Sequence, residues 1–230
     1  MYNHNSGFIN DPHARTGVVE GNPIHNDMLY AARAARLDFI VNVVIDAAHD
    51  PIFAVAGDCD LAHRVGREFL ASKCQVDAIP ADIVISTNGG YPLDQNLYQS
   101  PKAVSTAEVC AGEDGVIIMC CSCCDGMGGT HFERLITLGT PEEIDAYLSK
   151  IPPKETIAEQ WCPQIYSRIL RKHTVIVVTT FLDHEMVRRA NMIPASSLDE
   201  ALKMAYERKG SDAGVVVIPD GVSVMVVKEE

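Results

Sequence analysis

Gln99 and Lys102 are the residues whose types and spacing come nearest to chemistry in this 230-residue chain. Three positions apart, they would share one face of a helix, and an amide beside an ammonium offers N–H donors to a carboxylate. They close the run Ser86-Thr87-Asn88-Gly89-Gly90-Tyr91-Pro92-Leu93-Asp94-Gln95-Asn96-Leu97-Tyr98-Gln99-Ser100-Pro101-Lys102, which leaves the apolar segment Ile83-Val84-Ile85 through a Gly-Gly turn into a helix reaching about Ala111. The apolar segment reads as a buried strand, and open α/β sheets bind ligands at the carboxyl edge of such strands. Glycine, lacking a Cβ, lets backbone approach a bound group closely. Pro101 removes a backbone donor from a smooth helix through the pair, unless Ser100 caps a new helix with Pro101 at its first position. A solvated helix face would carry the same residues, so spacing alone leaves both readings open.

The whole run resembles the signature of the carboxy-terminal domain of the nickel-dependent lactate racemase family. Tyr2-Asn3-His4, Gly17-Val18-Val19-Glu20-Gly21-Asn22-Pro23, Asp38-Phe39-Ile40-Val41-Asn42-Val43, Phe53-Ala54-Val55-Ala56-Gly57-Asp58 and Glu159-Gln160-Trp161 agree with it at consistent spacing, so the resemblance extends over most of the chain. It implies racemisation of a small 2-hydroxy acid by reversible hydride transfer. The cofactor it implies is a nickel-pincer pyridinium mononucleotide tethered to a lysine, with a histidine completing the nickel coordination. His4, in the Asn-His motif, matches that metal ligand; Gln99 and Lys102, with Tyr98 beside them, match the residues that bind the substrate carboxylate; Trp161 matches a tryptophan packed near the cofactor. The tethering lysine and the two acid/base histidines match nothing in this chain. No catalytic residue is therefore expected within it. The resemblance implies a carboxy-terminal portion that is inactive alone and lacks the cofactor until an amino-terminal domain joins it.

Read without the resemblance, several of these residues have plainer roles. His4 would belong to a polar tail, with residues 1–16 mobile or packed on a neighbouring molecule for want of a partner. Trp161 falls on the stripe Ile157, Trp161, Ile165, Ile169, the spacing of a core helix, and Pro163 should start or kink a helix there. Cys120-Cys121-Ser122-Cys123-Cys124 reads as small apolar residues at a strand end. Adjacent strand side chains point to opposite faces, so the run cannot surround one metal with four thiolates. Its overlapping Cys-x-x-Cys pairs keep a second function open, a non-catalytic soft-metal or redox binding module. Gly126-Met127-Gly128-Gly129, after a strand and before a helix capped by Thr130 and Glu133, could hold an anion at a helix N-terminus. His184-Glu185-Met186-Val187-Arg188 lacks the second histidine of a zinc-protease helix, and His63 reads as solvated.

The elements that position these residues follow from periodicity. Asn22 and Pro23 start a helix, followed by a buried strand at Phe39–Ile45, a strand at 52–56 and a helix from Asp58 with Leu61, Val65 and Phe69 on one face. Strands and helices then alternate: strands at 82–87, 115–122 and 174–179, capping boxes at Thr140/Glu143 and Ser197/Glu200, and strands 213–218 and 222–227 as a terminal hairpin. This predicts an α/β, three-layer, mainly parallel sheet domain over 79–230, preceded by a partial α+β segment. Residues 1–78 are expected to be the tail end of the cofactor-bearing amino-terminal domain, incomplete by themselves because a hairpin and two helices cannot cover both faces of so apolar a strand. The net charge of −12 lacks the basic face a nucleic acid needs. No apolar run approaches the ~18–20 residues of a membrane span. The polar start lacks a signal-peptide layout, and a cytoplasmic location is expected.

Overall fold

The computed structural model describes residues 2–228, which divide into two compact units: residues 11–75, and residues 2–10 together with 76–228. In chain order the elements are α1 (Ser6–Asn10), α2 (Pro23–Ala34), β1 (Ile40–Ile45), β2 (Pro51–Gly57), α3 (Leu61–Cys74), β3 (Gln75–Asp77), β4 (Ala81–Thr87), α4 (Pro101–Cys110), β5 (Ala111–Cys120), α5 (Thr130–Ile136), α6 (Pro141–Leu148), α7 (Trp161–Leu170), β6 (Thr174–Val178), α8 (His184–Arg189), β7 (Ile193–Ala195), α9 (Leu198–Lys209), β8 (Val215–Ile218) and β9 (Met225–Val227). No helix among the described residues is long and apolar enough to cross a membrane.

The unit of residues 11–75 is the α+β segment. Asn22 caps α2 as its sequence predicts, its side-chain oxygen accepting from the Ile24 and His25 N–H groups, with Pro23 in the first turn. β1 and β2 form an antiparallel pair, Val41 opposite Ala56 and Val43 opposite Ala54. Phe53 and Phe69 stack with ring centroids 4.1 Å apart, fastening α3 to this ribbon. The expectation of a buried first strand is corrected here. Val41 and Val43 are 67% and 54% exposed, because a two-stranded ribbon has two faces and α3 can cover only one.

The larger unit is the parallel domain. Its five strands run in the order β7-β6-β5-β4-β8, all parallel where paired. Alternation along each strand divides the core between two faces. Val84, Ile117, Met119, Val175 and Val177 pack with Ala103, Val104 and Ala107 of α4, Phe132 of α5 and Tyr166 and Ile169 of α7. Ile83, Ile85, Val116, Ile118 and Ile176 pack on the other side against Ala201 and Ala205 of α9. Helices on both faces make three layers. From β4 to β7 the chain steps outward strand by strand. Between β7 and β8 it returns across the whole sheet, and α9 covers the second face on the way. The direction of travel reverses after β7, which sets β8 beside β4, and the loop leaving β4 starts at the carboxyl edge where open parallel sheets bind ligands.

Two local expectations are corrected. The last two strands form no hairpin: β8 lies parallel beside β4, while β9 pairs with β3 in a separate two-stranded sheet. Asp220 turns the chain between them, its Oδ1 accepting from the Val222 and Ser223 N–H groups and its Oδ2 from the Ser223 hydroxyl. Although burial pushes the Asp220 carboxyl up, these donors together hold it below its ordinary value. The Thr140/Glu143 capping box is present, but the one expected at Thr130 is not. Gly129 occupies that cap position and a distant carboxylate takes over.

Candidate functional site

The loop after β4 is not one long helix. Asn88, 1% exposed, donates from Nδ2 to the Leu93 carbonyl (2.6 Å) and accepts at Oδ1 from the Ala103 N–H (3.3 Å), folding the segment back on itself. Gly89 (φ +77°) makes the turn where an added Cβ would fall 2.7 Å from the Asp220 carboxylate, a position only glycine can fill. Residues 94–98 then bond to the loop after β5 instead of to one another. Cys123 and Asp125 donate to the Asp94 and Gln95 carbonyls at 2.9 and 2.7 Å, and Leu97 and Tyr98 donate to those of Gly126 and Met127 at 3.1 Å. A 3-10 turn at Leu97–Gln99 follows, and α4 begins with Pro101 in its first turn. Ser100 stands at the cap position without a side-chain capping bond.

This path brings Gln99 and Lys102 together. The Lys102 ammonium donates to Gln99 Oε1 at 2.7 Å. That contact ties up the amide oxygen and leaves the Gln99 Nε2 donors and two of the ammonium's three for a ligand. Lys102 is exposed and Gln99 half-buried. Tyr98 lies on the aromatic side of the turn. Its hydroxyl accepts from Trp161 Nε1 (3.3 Å), and its ring stands edge-on to Trp161 and to Phe132, at 5.7 and 5.8 Å. Burial raises the Tyr98 phenol's pKa, so the phenol keeps its proton. Beside Trp161, the buried Cys162 thiol is pushed up by burial and by the Glu159 charge, with Lys102 opposing.

His4 joins the same wall, its ring 6.1 Å from that of Trp161. The residues around it are no loose tail: Asn5, Ser6 and Ile9 are buried within the larger unit, against the expectation for residues 1–16, and only residues 11–16 fall in the other unit. Burial lowers the His4 imidazole's pKa, which keeps a lone pair available at neutral pH. Among the described residues, no three His, Cys, Asp or Glu side chains are grouped to hold a metal. The donor set therefore fits one coordination position on a metal that is otherwise ligated, not a self-contained metal centre. All five residues singled out from the sequence, His4, Tyr98, Gln99, Lys102 and Trp161, thus belong to one unit and form a continuous series of contacts and chain neighbours.

Glu159 lies in the Glu159-Gln160-Trp161 segment that the resemblance covers, but its own role in this site was not legible in the sequence. It stands at φ +67°, left-handed backbone that a non-glycine residue adopts at a cost. Its Oε2 accepts from the Phe132 N–H at 2.8 Å, over the first turn of α5. A Cβ on Gly129 would run into this carboxylate, and one on Gly128 into the Asn96 side chain. The glycine-rich loop therefore accommodates the protein's own carboxylate and amide rather than an external anion, and it ties the Trp161 segment to the loop bearing Tyr98.

The cysteine run divides as a strand end should. Cys121 and Cys123 are buried with sulfurs 3.3 Å apart, Cys120 is half-buried and Cys124 exposed. Burial pushes the Cys120 thiol up to about 11, with Cys121 adding to it. Cys121 is pushed well up by its contact with Cys123 and by burial. Thiolates are the metal ligands and redox nucleophiles, so these surroundings disfavour both. In the smaller unit His63, read from the sequence as solvated, stacks with His25, their ring centroids 5.6 Å apart.

A parallel α/β domain that holds a carboxylate-sized pair of donors at its carboxyl edge, beside an imidazole on an aromatic wall, is the class of protein defined so far. Residues 76–226 match the family described as the lactate racemase C-terminal domain, and the chain belongs to the lactate racemase family. It is 48% identical over 227 residues to the lactate racemase of Thermoanaerobacterium thermosaccharolyticum and 47% identical to that of Lactiplantibacillus plantarum, in each case over 98% of this chain. It spans about half the length of these relatives, 53% and 54%. The solved structure of the T. thermosaccharolyticum lactate racemase apoprotein superposes with a TM-score of 0.95, covering 98% of this chain and 54% of that one. A Thermotoga maritima protein, 13% identical with a TM-score of 0.64, shares the fold.

Proposed function

We propose that the chain is the carboxy-terminal portion of a nickel-pincer racemase or epimerase of small 2-hydroxy acids, in which it binds the substrate carboxylate and gives one imidazole to the metal. The observation that carries this reading is the series from His4 through Trp161 and Tyr98 to the Gln99–Lys102 pair, on one unit at the carboxyl edge of the sheet. Nickel-pincer cofactor, when bound, supplies the acceptor and donor of the substrate's Cα hydride. Lys102, oriented by Gln99 Oε1, meets one carboxylate oxygen and the Gln99 amide meets the other. Charge-assisted bonds of this kind contribute about 1.5–3 kcal/mol. They also fix the direction in which the Cα–H bond is presented, and orientation is a large part of rate. Tyr98 keeps its proton and offers a hydroxyl beside the pair, and Trp161 screens the site from water.

His4 uses its lone pair on the metal and so cannot serve the substrate hydroxyl. Proton exchange there needs groups with pKa values near neutrality, which we assign, with the cofactor-tethering lysine, to the portion of the relatives that this chain does not match. Residues 11–75 would contribute to that cofactor-bearing domain, whose strands would cover the exposed face of β1 and β2. Eight unpaired cysteines fit a reducing, cytoplasmic setting.

The chain alone, given mature cofactor and one lactate enantiomer, is expected to leave that enantiomer unconverted on chiral chromatography. Losing the acid/base groups typically costs ~10²–10⁴ in rate, and losing the cofactor tether removes the hydride acceptor. Racemisation by residues 1–230 above buffer background would place the chemistry within this chain and overturn the division of labour.

A further inference from the structure

We infer that Gln164 is a positioning residue that sets His4 against Trp161 by clasping the backbone and hydroxyl of Ser6. Gln164 lies on α7 three residues after Trp161, so the two share a face of that helix. It is fully buried, at 0% exposure. Its Nε2 donates to the Ser6 carbonyl at 2.9 Å and to the Ser6 hydroxyl oxygen at 2.7 Å, across 158 positions of sequence. Ser6 is two residues beyond His4. A short segment is thereby held to one helix at two points, His4 on Trp161 and Ser6 on Gln164, which fixes both its height along α7 and its rotation.

The chemistry of the position argues for this role over simple packing. Gln164 Oε1 is buried with no hydrogen-bond partner among the described groups, a cost of about 1–3 kcal/mol that a methionine of similar shape would avoid. A side chain retained for stability alone would not carry that cost. The two bonds its amide does make both go to Ser6. Other polar ties to the segment are peripheral: the exposed Asn10 donates from Nδ2 to the half-buried Asp145 at 3.2 Å, and the hydroxyls of Ser6 and the exposed Ser149 lie 3.4 Å apart. Within the segment, Asn5 only organises its neighbours, donating to the Tyr2 carbonyl and accepting from the Phe8 N–H. Gln164 is the buried polar anchor.

The inference rests on the assignment of His4 as a metal ligand only for its purpose; the positioning itself is read without metal. The test is made on residues 1–230 carrying Gln164→Met. Nuclear Overhauser contacts between the His4 and Trp161 rings are recorded, with amide exchange for residues 5–9 and for β4–β6. The expected result is loss of the His4–Trp161 contacts and about tenfold faster exchange over 5–9, with sheet protection unchanged. A residue that only filled space would shift the sheet's protection and leave the ring contacts in place. Should Gln164→Met fail to fold, Ser6→Ala, which removes one of the two bonds, is expected to speed exchange over 5–9 several-fold. Retained ring contacts in Gln164→Met, or unchanged exchange in Ser6→Ala, would overturn the inference whether or not His4 binds nickel.

Discussion

Lys102→Ala is expected to lower kcat/KM for lactate about 10²-fold in a chimera that joins residues 1–230 to the portion of the T. thermosaccharolyticum enzyme this chain does not match. The lost charge-assisted contact, about 1.5–3 kcal/mol, corresponds to roughly 10–150-fold. Most of the loss should appear in KM, because the carboxylate is held equally in substrate and transition state, with a smaller fall in kcat from poorer orientation. Lys102 is exposed and its ammonium donates to Gln99 alone among the described side chains, so folding should change by no more than about 0.5 kcal/mol. Lys102→Arg should recover only part of the activity, since a planar fork cannot reproduce a point charge held by one amide oxygen. Activity of Lys102→Ala within twofold of the parent would remove the carboxylate clamp from the account.

Gly128→Ala is expected to destabilise the chain by about 2–4 kcal/mol and to lower Tm by roughly 5–15 °C. Gly128 has φ +92°, and its added Cβ would enter the Asn96 side chain, so strain and overpacking combine. Gly126→Ala is the matched control. It too has a left-handed backbone, φ +64°, but its Cβ would meet nothing within 4 Å, and its cost should be only about 1–2 kcal/mol. The difference isolates the contact between the glycine-rich loop and the loop carrying Tyr98. Thermal unfolding followed by circular dichroism measures it. Equal midpoints for the two variants would show that the contact does not support the site.

What the sequence reveals and what it withholds divide along physical lines. The strand Ala81–Thr87 was legible because a doubly covered parallel strand is apolar throughout, and the caps at Asn22, followed by Pro23, and at Thr140, with Glu143, because capping depends on residues within one turn. Tyr98, Gln99 and Lys102 were legible because they sit within one short run. The docking of residues 2–10 was not, since its anchor is an amide 158 positions away and the segment's polar composition reads as a tail. The role of Glu159, though not its segment, was equally hidden: a carboxylate that caps a helix from another segment leaves no local pattern, and the glycines that admit it resemble an anion-binding loop. The parallel placement of β8 depended on a crossover by α9, whereas Pro219-Asp220-Gly221 locally reads as a hairpin turn.

The central claim is a division of labour, with carboxylate binding and one metal ligand in this chain and proton transfer and cofactor attachment elsewhere. The most direct measurement is conversion of one lactate enantiomer, by chiral chromatography, for the cofactor-loaded chimera, its His4→Ala variant and residues 1–230 alone. The account predicts racemisation by the chimera, nickel content and activity lost together in His4→Ala, and none in the isolated chain. Racemisation by residues 1–230 alone, or a His4→Ala chimera that keeps its nickel and its rate, would contradict it.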